Sequence, residues 1–269
     1  MITNTSNPRV KKVAKLNKQA KARADERAFV IEGIKLFLEA PLEFIKEIYY
    51  TEYFYEKYIE PEGPVREKYL LLDMHPTFNQ MVSDFCFDRM SDTKTPQGVL
   101  CVLKHIVWDM PGLVSRRDEH PIYLLIEDLN DPGNLGTIFR TAEAAGVTAI
   151  FMNEGCADIY NPKVVRSTMG SIFRVPFVYT MLMLVIPELL KNGVNIFATC
   201  PDGAVSYEKF DFRGAAAFLI GSESHGLSEP LKRKVTQHLA IPMAGEVESL
   251  NAAVATAVFL FEATRQRRG

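Results

Sequence analysis

From residue 121 to the C-terminus, short apolar stretches alternate with helix-forming segments, and this alternation constrains the fold more than any other feature of the chain. The apolar stretches are 122–126, 147–152, 194–199, 215–220 and 238–241. Each is a near-continuous hydrophobic run, the signature of strands covered on both faces, and most are separated by segments with helical periodicity. A parallel sheet with helices on both sides is the expected result. The last segment is the plainest helix: Leu250, Ala253, Val254, Ala257, Val258 and Phe261 recur at helical spacing. They predict one apolar face, and Arg265, Arg267 and Arg268 sit where a helix dipole favours cations.

Ahead of residue 106 the units are shorter and mixed. Asn7 followed by Pro8 predicts a helix start, with asparagine as N-cap and proline at the first helical position. Val10, Val13 and Leu16 then form an apolar stripe flanked by lysines. A strand at 28–32, a helix at 35–40, a strand at 44–50 and further short units to about residue 103 make a small α/β domain of roughly one hundred residues. Residues 91–98, SDTKTPQG, are turn formers and predict a loop. The division expected is therefore a small domain over 1–105, a linker over 106–120 that contains Pro111 and Gly112, and a larger domain over 121–269.

A chain of 269 residues, 47% apolar and 24% charged, suits one large or two ordinary domains of a soluble protein. Its formal net charge of -2 argues against a polyanionic partner, but the charge is uneven. The first 35 residues hold nine lysines and arginines against three acids, a local +6 that leaves -8 for the rest. Such a basic segment on an acidic body suits a grip on nucleic acid at one place; it is also the pattern of a solvated helix face. Cys86, Cys101, Cys156 and Cys200 lie far apart, without a C-x-x-C pair or a histidine at metal-ligand spacing. Neither a zinc site nor a disulfide framework is expected, and no metal. The N-terminus lacks the apolar core of a signal peptide, and the longest apolar runs are about half of the roughly 20 residues that cross a bilayer. A cytoplasmic protein with no membrane partner is expected.

Three segments combine glycine-rich turns with lone polar residues at strand ends. The first, NDPGNLGTIFR over 130–140, follows a strand and opens a helix, so its backbone N–H groups are available to an anion and Arg140 can reach the same mouth. It lacks the G-x-G-x-x-G order of a dinucleotide fold. The second, LIGSESHGLS over 219–228, leaves a strand through Gly221; Glu223 is placed to bond a hydroxyl or an arginine, and Ser228 to cap a helix over 229–235. The third, IPMAGEVESLN over 241–251, puts Ser249 at the N-cap position of the last helix and Asn251 in its first turn. Ligands in open α/β sheets collect where several strand ends meet, so one shared site is expected.

In this order, NDPGNLGTIFR, GSESHGLS and IPM with SLN resemble the three motifs of the SpoU (TrmH-type) RNA ribose 2'-O-methyltransferases of the SPOUT superfamily. The resemblance covers about residues 122–265. The basic helix and FVIEG at 29–33 are also similar to the small RNA-binding domain that many such enzymes place first. The resemblance implies an α/β fold: a C-terminal parallel-sheet domain with a deep trefoil knot, preceded by a small α/β RNA-binding domain. It implies S-adenosylmethionine as cofactor, held largely by the backbone at Gly221, Ile241 and Leu250, with Thr199 as a further candidate. It puts Asn134, Arg140, Glu223, Ser249 and Asn251 at catalytic and substrate-binding positions, and it implies a homodimer whose two subunits complete each site. RNA contacts fall to Arg9, Lys11, Lys12 and Lys15. The expected substrate is ribosomal RNA, with 23S favoured; transfer RNA, or a non-catalytic ribosome-assembly role on the same fold, are the alternatives. One departure is Ser224, where many members have a glycine that tolerates positive φ.

Overall fold

Backbone pairing divides the chain into two compact units, each with its own sheet. The first is Met1–Ile106 with Asp158–Phe173, and the second Val107–Ala157 with Arg174–Gly269. The computed structural model describes residues 1–74, 78–115, 119–200, 205–222, 224–235 and 237–268.

In the first unit, β1 (Ala28–Glu32), β2 (Ile45–Tyr50), β3 (Phe78–Met81) and β4 (Val99–Lys104) form one sheet in the order β1-β4-β2-β3. β4 lies antiparallel to both β1 and β2, and β2 runs parallel to β3. Helix Pro8–Lys18 begins as the Asn-Pro pair predicts, with the Asn7 side chain accepting from Arg9 N. Val10, Val13 and Leu16 are buried against β1 and β4 residues Val30, Leu100 and Val102. The segment Asp158–Phe173, which the sequence joins to the larger domain, packs here instead. Arg23 explains part of this: its guanidinium is 3% exposed, donates to the Leu16 carbonyl and pairs with Asp158 at 2.7 Å. Tyr160 stacks on His105 at 3.9 Å between ring centres, and its hydroxyl donates to the Ile106 carbonyl.

The basic helix is tied to the sheet by one buried acid. Glu47 receives Lys12 Nζ at 2.7 Å, Arg9 at 3.4 Å and the Tyr49 hydroxyl, while the Arg9 guanidinium lies 3.5 Å from the centre of the Phe78 ring. Burial pushes the Glu47 pKa up, but the hydrogen bonds from Lys12 and Tyr49 and the charges of Lys12 and Arg9 outweigh it, leaving the group below its ordinary value of 4.5. Such a depressed carboxylate stabilises the fold fully above its unfolded-state pKa and loses that contribution as pH falls through the folded value. Glu47→Gln is therefore expected to cost about 1 kcal/mol at pH 7, a modest figure because both cations are partly exposed to solvent. Thermal unfolding followed by circular dichroism should show the gap between variant and wild type closing below about pH 4.

In the second unit all strands run parallel: β5 (Ile122–Ile126), β6 (Ala149–Met152), β7 (Phe177–Tyr179), β8 (Asn195–Thr199), β9 (Val205–Ser206), β10 (Ala216–Ile220) and β11 (Gln237–Ala240). Their order is β7-β6-β5-β10-β8-β11-β9. Every residue of β5, β6 and β10 is buried, as expected for strands covered on both faces. β7 and β9, at three and two residues, are too short to leave a periodic signal in sequence. Helices Pro132–Ala144 and Ala252–Arg268 pack against each other, with the latter also against β10; helix Leu182–Lys191 packs against β6, β8 and helix Met110–Val114. The Ala252–Arg268 side buries Phe259 against Phe218, within a cluster that includes Phe197 and Phe212. Each such ring contributes roughly 1.5–3 kcal/mol by burial.

Two expectations are corrected here. The stretch 106–120 is not plain linker: Asp109 caps helix Met110–Val114 by accepting from Gly112 N at 3.0 Å, and Leu113 and Val114 are buried in the core of the second unit. The last helix buries Ala252, Ala253, Thr256, Phe259, Leu260 and Ala263, so of the expected face Leu250, Ala253, Val254, Ala257, Val258 and Phe261 only Ala253 is fully buried. Val254 and Phe261 remain 50% and 47% exposed. The helix is apolar around most of its circumference near its start, so periodicity alone cannot choose which side meets the sheet.

Candidate active site

Because β5, β10, β8 and β11 are consecutive and parallel, their C-terminal ends open on one edge. The loops that leave three of those ends are the three glycine-containing segments. The topology thus brings together residues up to 117 positions apart in the chain, Asn134 and Asn251 among them.

The first loop is fixed by its own acids. Glu127, 7% exposed, follows β5; its backbone N–H donates to the Ile220 carbonyl and its carboxylate accepts from Ser228 N at 2.7 Å, joining the first loop to the second. Asp128 adopts a left-handed φ of 53°, and Asn153 locks it by accepting from Asp128 N at 2.9 Å and donating to the Asp128 carboxylate at 2.8 Å. Asp131 caps helix Pro132–Ala144 by accepting from Asn134 N at 2.7 Å, with Pro132 at the first helical position. Gly146 ends that stretch with φ of 72°.

The second loop turns back on β10 immediately. Ser222 and Gly226 exchange two backbone hydrogen bonds of 3.1 and 2.9 Å, and Gly226 has a φ of 65°. The turn is so close that a Cβ on Gly221 would lie 2.4 Å from Gly226 C and 2.5 Å from Leu227 N. Only glycine fits there. In the third loop, Asn251 does two things at once. Its Oδ1 accepts from Ala253 N and Val254 N, capping the last helix, while its Nδ2 donates to Asn134 Oδ1 at 3.0 Å. Three loops are thereby cross-linked by Glu127–Ser228 and Asn251–Asn134.

A profile of the SpoU rRNA methylase family matches residues 121–261, and a profile of the MRM3-like substrate binding domain matches residues 7–101. The chain belongs to the SpoU rRNA methylase family. This SpoU methylase is 32% identical over 265 residues to the Bacillus subtilis 23S rRNA (guanosine(2553)-2'-O)-methyltransferase RlmP, covering 97% of each protein. It is 35% identical over 271 residues to an uncharacterized tRNA/rRNA methyltransferase of Synechocystis, covering 99% of this chain and 94% of the relative. Among solved structures, the AdoMet-bound rRNA methyltransferase from Sinorhizobium meliloti superposes with a TM-score of 0.84 at 31% identity, covering 98% of this chain and 97% of that one. The SpoU methyltransferase AviRb from Streptomyces viridochromogenes, in complex with AdoMet, gives 0.85 at 27%, covering 98% and 99%.

Within this SpoU methylase, Asn134, Gly221 and Asn251 stand together at the strand-end edge. Ile241 and Leu250, both half-buried, lie on the third loop, and Ser249 is exposed beside them. The N-cap of the last helix is Asn251 and not Ser249, because the helix begins at Ala252 and the capping oxygen belongs to Asn251. Helix Glu229–Lys232 is shorter than the segment expected, and Ser228 occupies its N-cap position without a side-chain cap bond. Thr199 ends β8 with its hydroxyl donating to the Leu219 carbonyl at 3.0 Å, a bond within the sheet. Glu223 lies outside the described residues. Arg140 is exposed on the side of its helix opposite Leu135, Ile138, Phe139 and Ala142, and no hydrogen bond or ion pair holds its guanidinium among the described residues. Glu127, Asp128, Asp131 and Asn153 were not expected from sequence; Asp131 carried a signal, an acid directly before a proline at a helix start. Among the described residues no cluster of three or more His, Cys, Asp or Glu can hold a metal, and no helix is long and apolar enough to cross a membrane.

Proposed function

We propose that this SpoU methylase transfers a methyl group from S-adenosylmethionine to a ribose 2'-hydroxyl of ribosomal RNA, with 23S RNA as the favoured target. The observation that carries this is the edge shared by β5, β10, β8 and β11, where three loops are cross-linked and Gly221 admits no side chain. Such an edge suits a cofactor held by main-chain groups, with Gly221, Ile241, Leu250 and Thr199 around it. Bound S-adenosylmethionine supplies an electrophilic methyl group on a sulfonium. Its sulfonium sulfur would leave as a neutral thioether as the ribose oxygen takes the methyl group, and the hydroxyl proton would pass to solvent water. Asn134, Asn251, Ser249 and Glu223 take the role of orienting the ribose, and Arg140 that of clamping the adjacent phosphate and stabilising charge developing on oxygen. The names of the relatives support the rRNA substrate. Incubating the purified protein with labelled S-adenosylmethionine and unmodified ribosomal RNA, then mapping 2'-O-methylation, tests it; transfer only to tRNA would redirect the substrate, and none to either would sink the enzyme reading.

The first unit serves as the RNA-binding part. Arg9 and Lys12 are engaged with Glu47, whereas Lys11 and Lys15 point to solvent four residues apart on one helix face, and Lys18 continues that ridge. Replacing Lys11, Lys15 and Lys18 with alanine is expected to weaken RNA binding and flatten its salt dependence, leaving S-adenosylmethionine affinity unchanged. Filter binding across a salt series, beside calorimetric titration of the cofactor, checks both.

A homodimer in the cytoplasm completes the proposal, together with a knotted path for the C-terminal segment. The exposed apolar side of the last helix, with Val254 and Phe261, is the surface assigned to the second copy. Val254→Glu with Phe261→Glu is expected to give a monomer with a greatly reduced methylation rate. Sedimentation equilibrium decides: a wild type that is monomeric and fully active would overturn the shared-site picture.

A further inference from the structure

The first unit carries an open groove of about 380 Å³, distinct from the lysine ridge and from the strand-end edge, and its lining is chemically two-sided. On one lip stands Tyr53, 59% exposed, its hydroxyl accepting from Lys57 Nζ at 2.6 Å. The Lys57 ammonium also lies 5.0 Å from the centre of the Tyr53 ring. The same groove is lined by Asp84 and Asp88, one helical turn apart on helix Asp84–Met90 and both exposed. Neither carboxylate has a hydrogen bond or ion pair among the described residues. Phe87 and Gly98 complete the wall; a Cβ on Gly98 would lie 2.6 Å from Thr51 Oγ1, so the loop over 91–98 packs against Thr51 without a side chain at that point.

An exposed aromatic ring, a cation bonded to its hydroxyl and two carboxylate acceptors lining the same groove match three parts of one nucleotide. The ring stacks a base, the cation takes a phosphate, and the carboxylates accept from exocyclic amino or ring N–H groups on the base edge. A cationic side chain satisfies only the carboxylates, because Lys57 already occupies the Tyr53 lip and repels it. The volume is within the range of small-molecule sites. Resting on the assignment of RNA as the substrate, we infer that this groove holds a single unpaired nucleotide of that RNA, with its base stacked on Tyr53 and read by Asp84 and Asp88. The carboxylates favour guanine, adenine or cytosine, which present amino donors, over uracil, whose edge is dominated by carbonyl oxygens that they repel. Site selection then draws on a base read in the first unit.

Fluorescence anisotropy of the full chain with labelled single-stranded pentaribonucleotides tests this, using a central A, C, G or U in an otherwise all-uridine sequence. The amino-bearing bases are expected to bind about fivefold tighter than uridine. Tyr53→Ala should weaken every pentamer about tenfold, and Tyr53→Phe should keep most of the affinity because the stacking face remains. Asp84→Asn with Asp88→Asn should abolish the preference without lowering affinity for the uridine pentamer, a pattern that damage to the fold would not give. Unchanged binding in Tyr53→Ala, or an unchanged base preference in the double asparagine variant, overturns the inference. So does saturable binding of an oligoarginine peptide that Asp88→Asn removes while pentamer binding ignores Tyr53→Ala; the groove then belongs to a basic protein. Methylation of ribosomal RNA by the wild type is measured alongside. Its absence counts against the enzyme assignment, and the pentamers judge the groove separately.

Discussion

Alanine at position 140 is expected to slow methyl transfer about 10²- to 10³-fold while leaving S-adenosylmethionine affinity within about twofold. The split follows from where Arg140 stands. It is exposed on helix Pro132–Ala144, away from the buried Leu135, Ile138, Phe139 and Ala142, so truncation removes no core contact and should change stability by less than about 0.5 kcal/mol. Its exposed guanidinium suits contact with a phosphate and with an oxygen that gains negative charge during transfer. Arg140→Lys keeps the charge but loses the planar fork, and should remain at least about tenfold below wild type. Rate against pH separates this role from proton abstraction. A guanidinium stays charged over the accessible pH range, so a clamp adds no ionisation of its own. If Arg140 acts as general base instead, the log of the rate rises steadily with pH in the wild type and the profile shifts in Arg140→Lys. Near-complete activity in the lysine variant would remove the need for bidentate geometry.

The second unit was largely legible because its strands are buried on both faces: 122–126 and Ile122–Ile126 coincide, and the other central strands differ from expectation by one or two residues at their ends. Continuous apolar runs report full burial directly. What sequence could not supply was the order β7-β6-β5-β10-β8-β11-β9, since each parallel strand is compatible with several neighbours. The three motifs were visible as glycine-rich turns, but their meeting depends on that order. The capping role passed from Ser249 to Asn251 because both residue types cap well and a two-residue shift in the helix start decides between them. Arg9 and Lys12 illustrate a different limit. A basic residue in sequence carries no mark of its partner, and the acid that holds both, Glu47, lies on a strand 35 and 38 positions away. Arg23, counted with the same basic segment, is buried on Asp158 for the same reason.

Valine at position 221 is expected to lower S-adenosylmethionine affinity by more than about a hundredfold, the largest effect at the cofactor edge. A Cβ there meets Gly226 C, Leu227 N and Gly226 O at 2.4, 2.5 and 2.6 Å, all of them backbone atoms that cannot rotate aside. The Ser222–Gly226 hydrogen-bond pair must open, and with it the turn that ends β10 beside the loops after β5 and β11. The cost to the fold is local, about 1–3 kcal/mol by analogy with overpacked sites, because the five strand residues Ala216–Ile220 keep their neighbours. Gly226→Ala is the control. Its added methyl meets no atom within 4 Å, so it pays only for a left-handed φ of 65°, about 1 kcal/mol, and should cost cofactor affinity a few-fold at most. Calorimetric titration with S-adenosylmethionine, and with NADH as a negative control, compares the two. A folded Gly221→Val protein that binds the cofactor as tightly as wild type would mean that this turn is not its wall, and the site would have to be sought away from the end of β10.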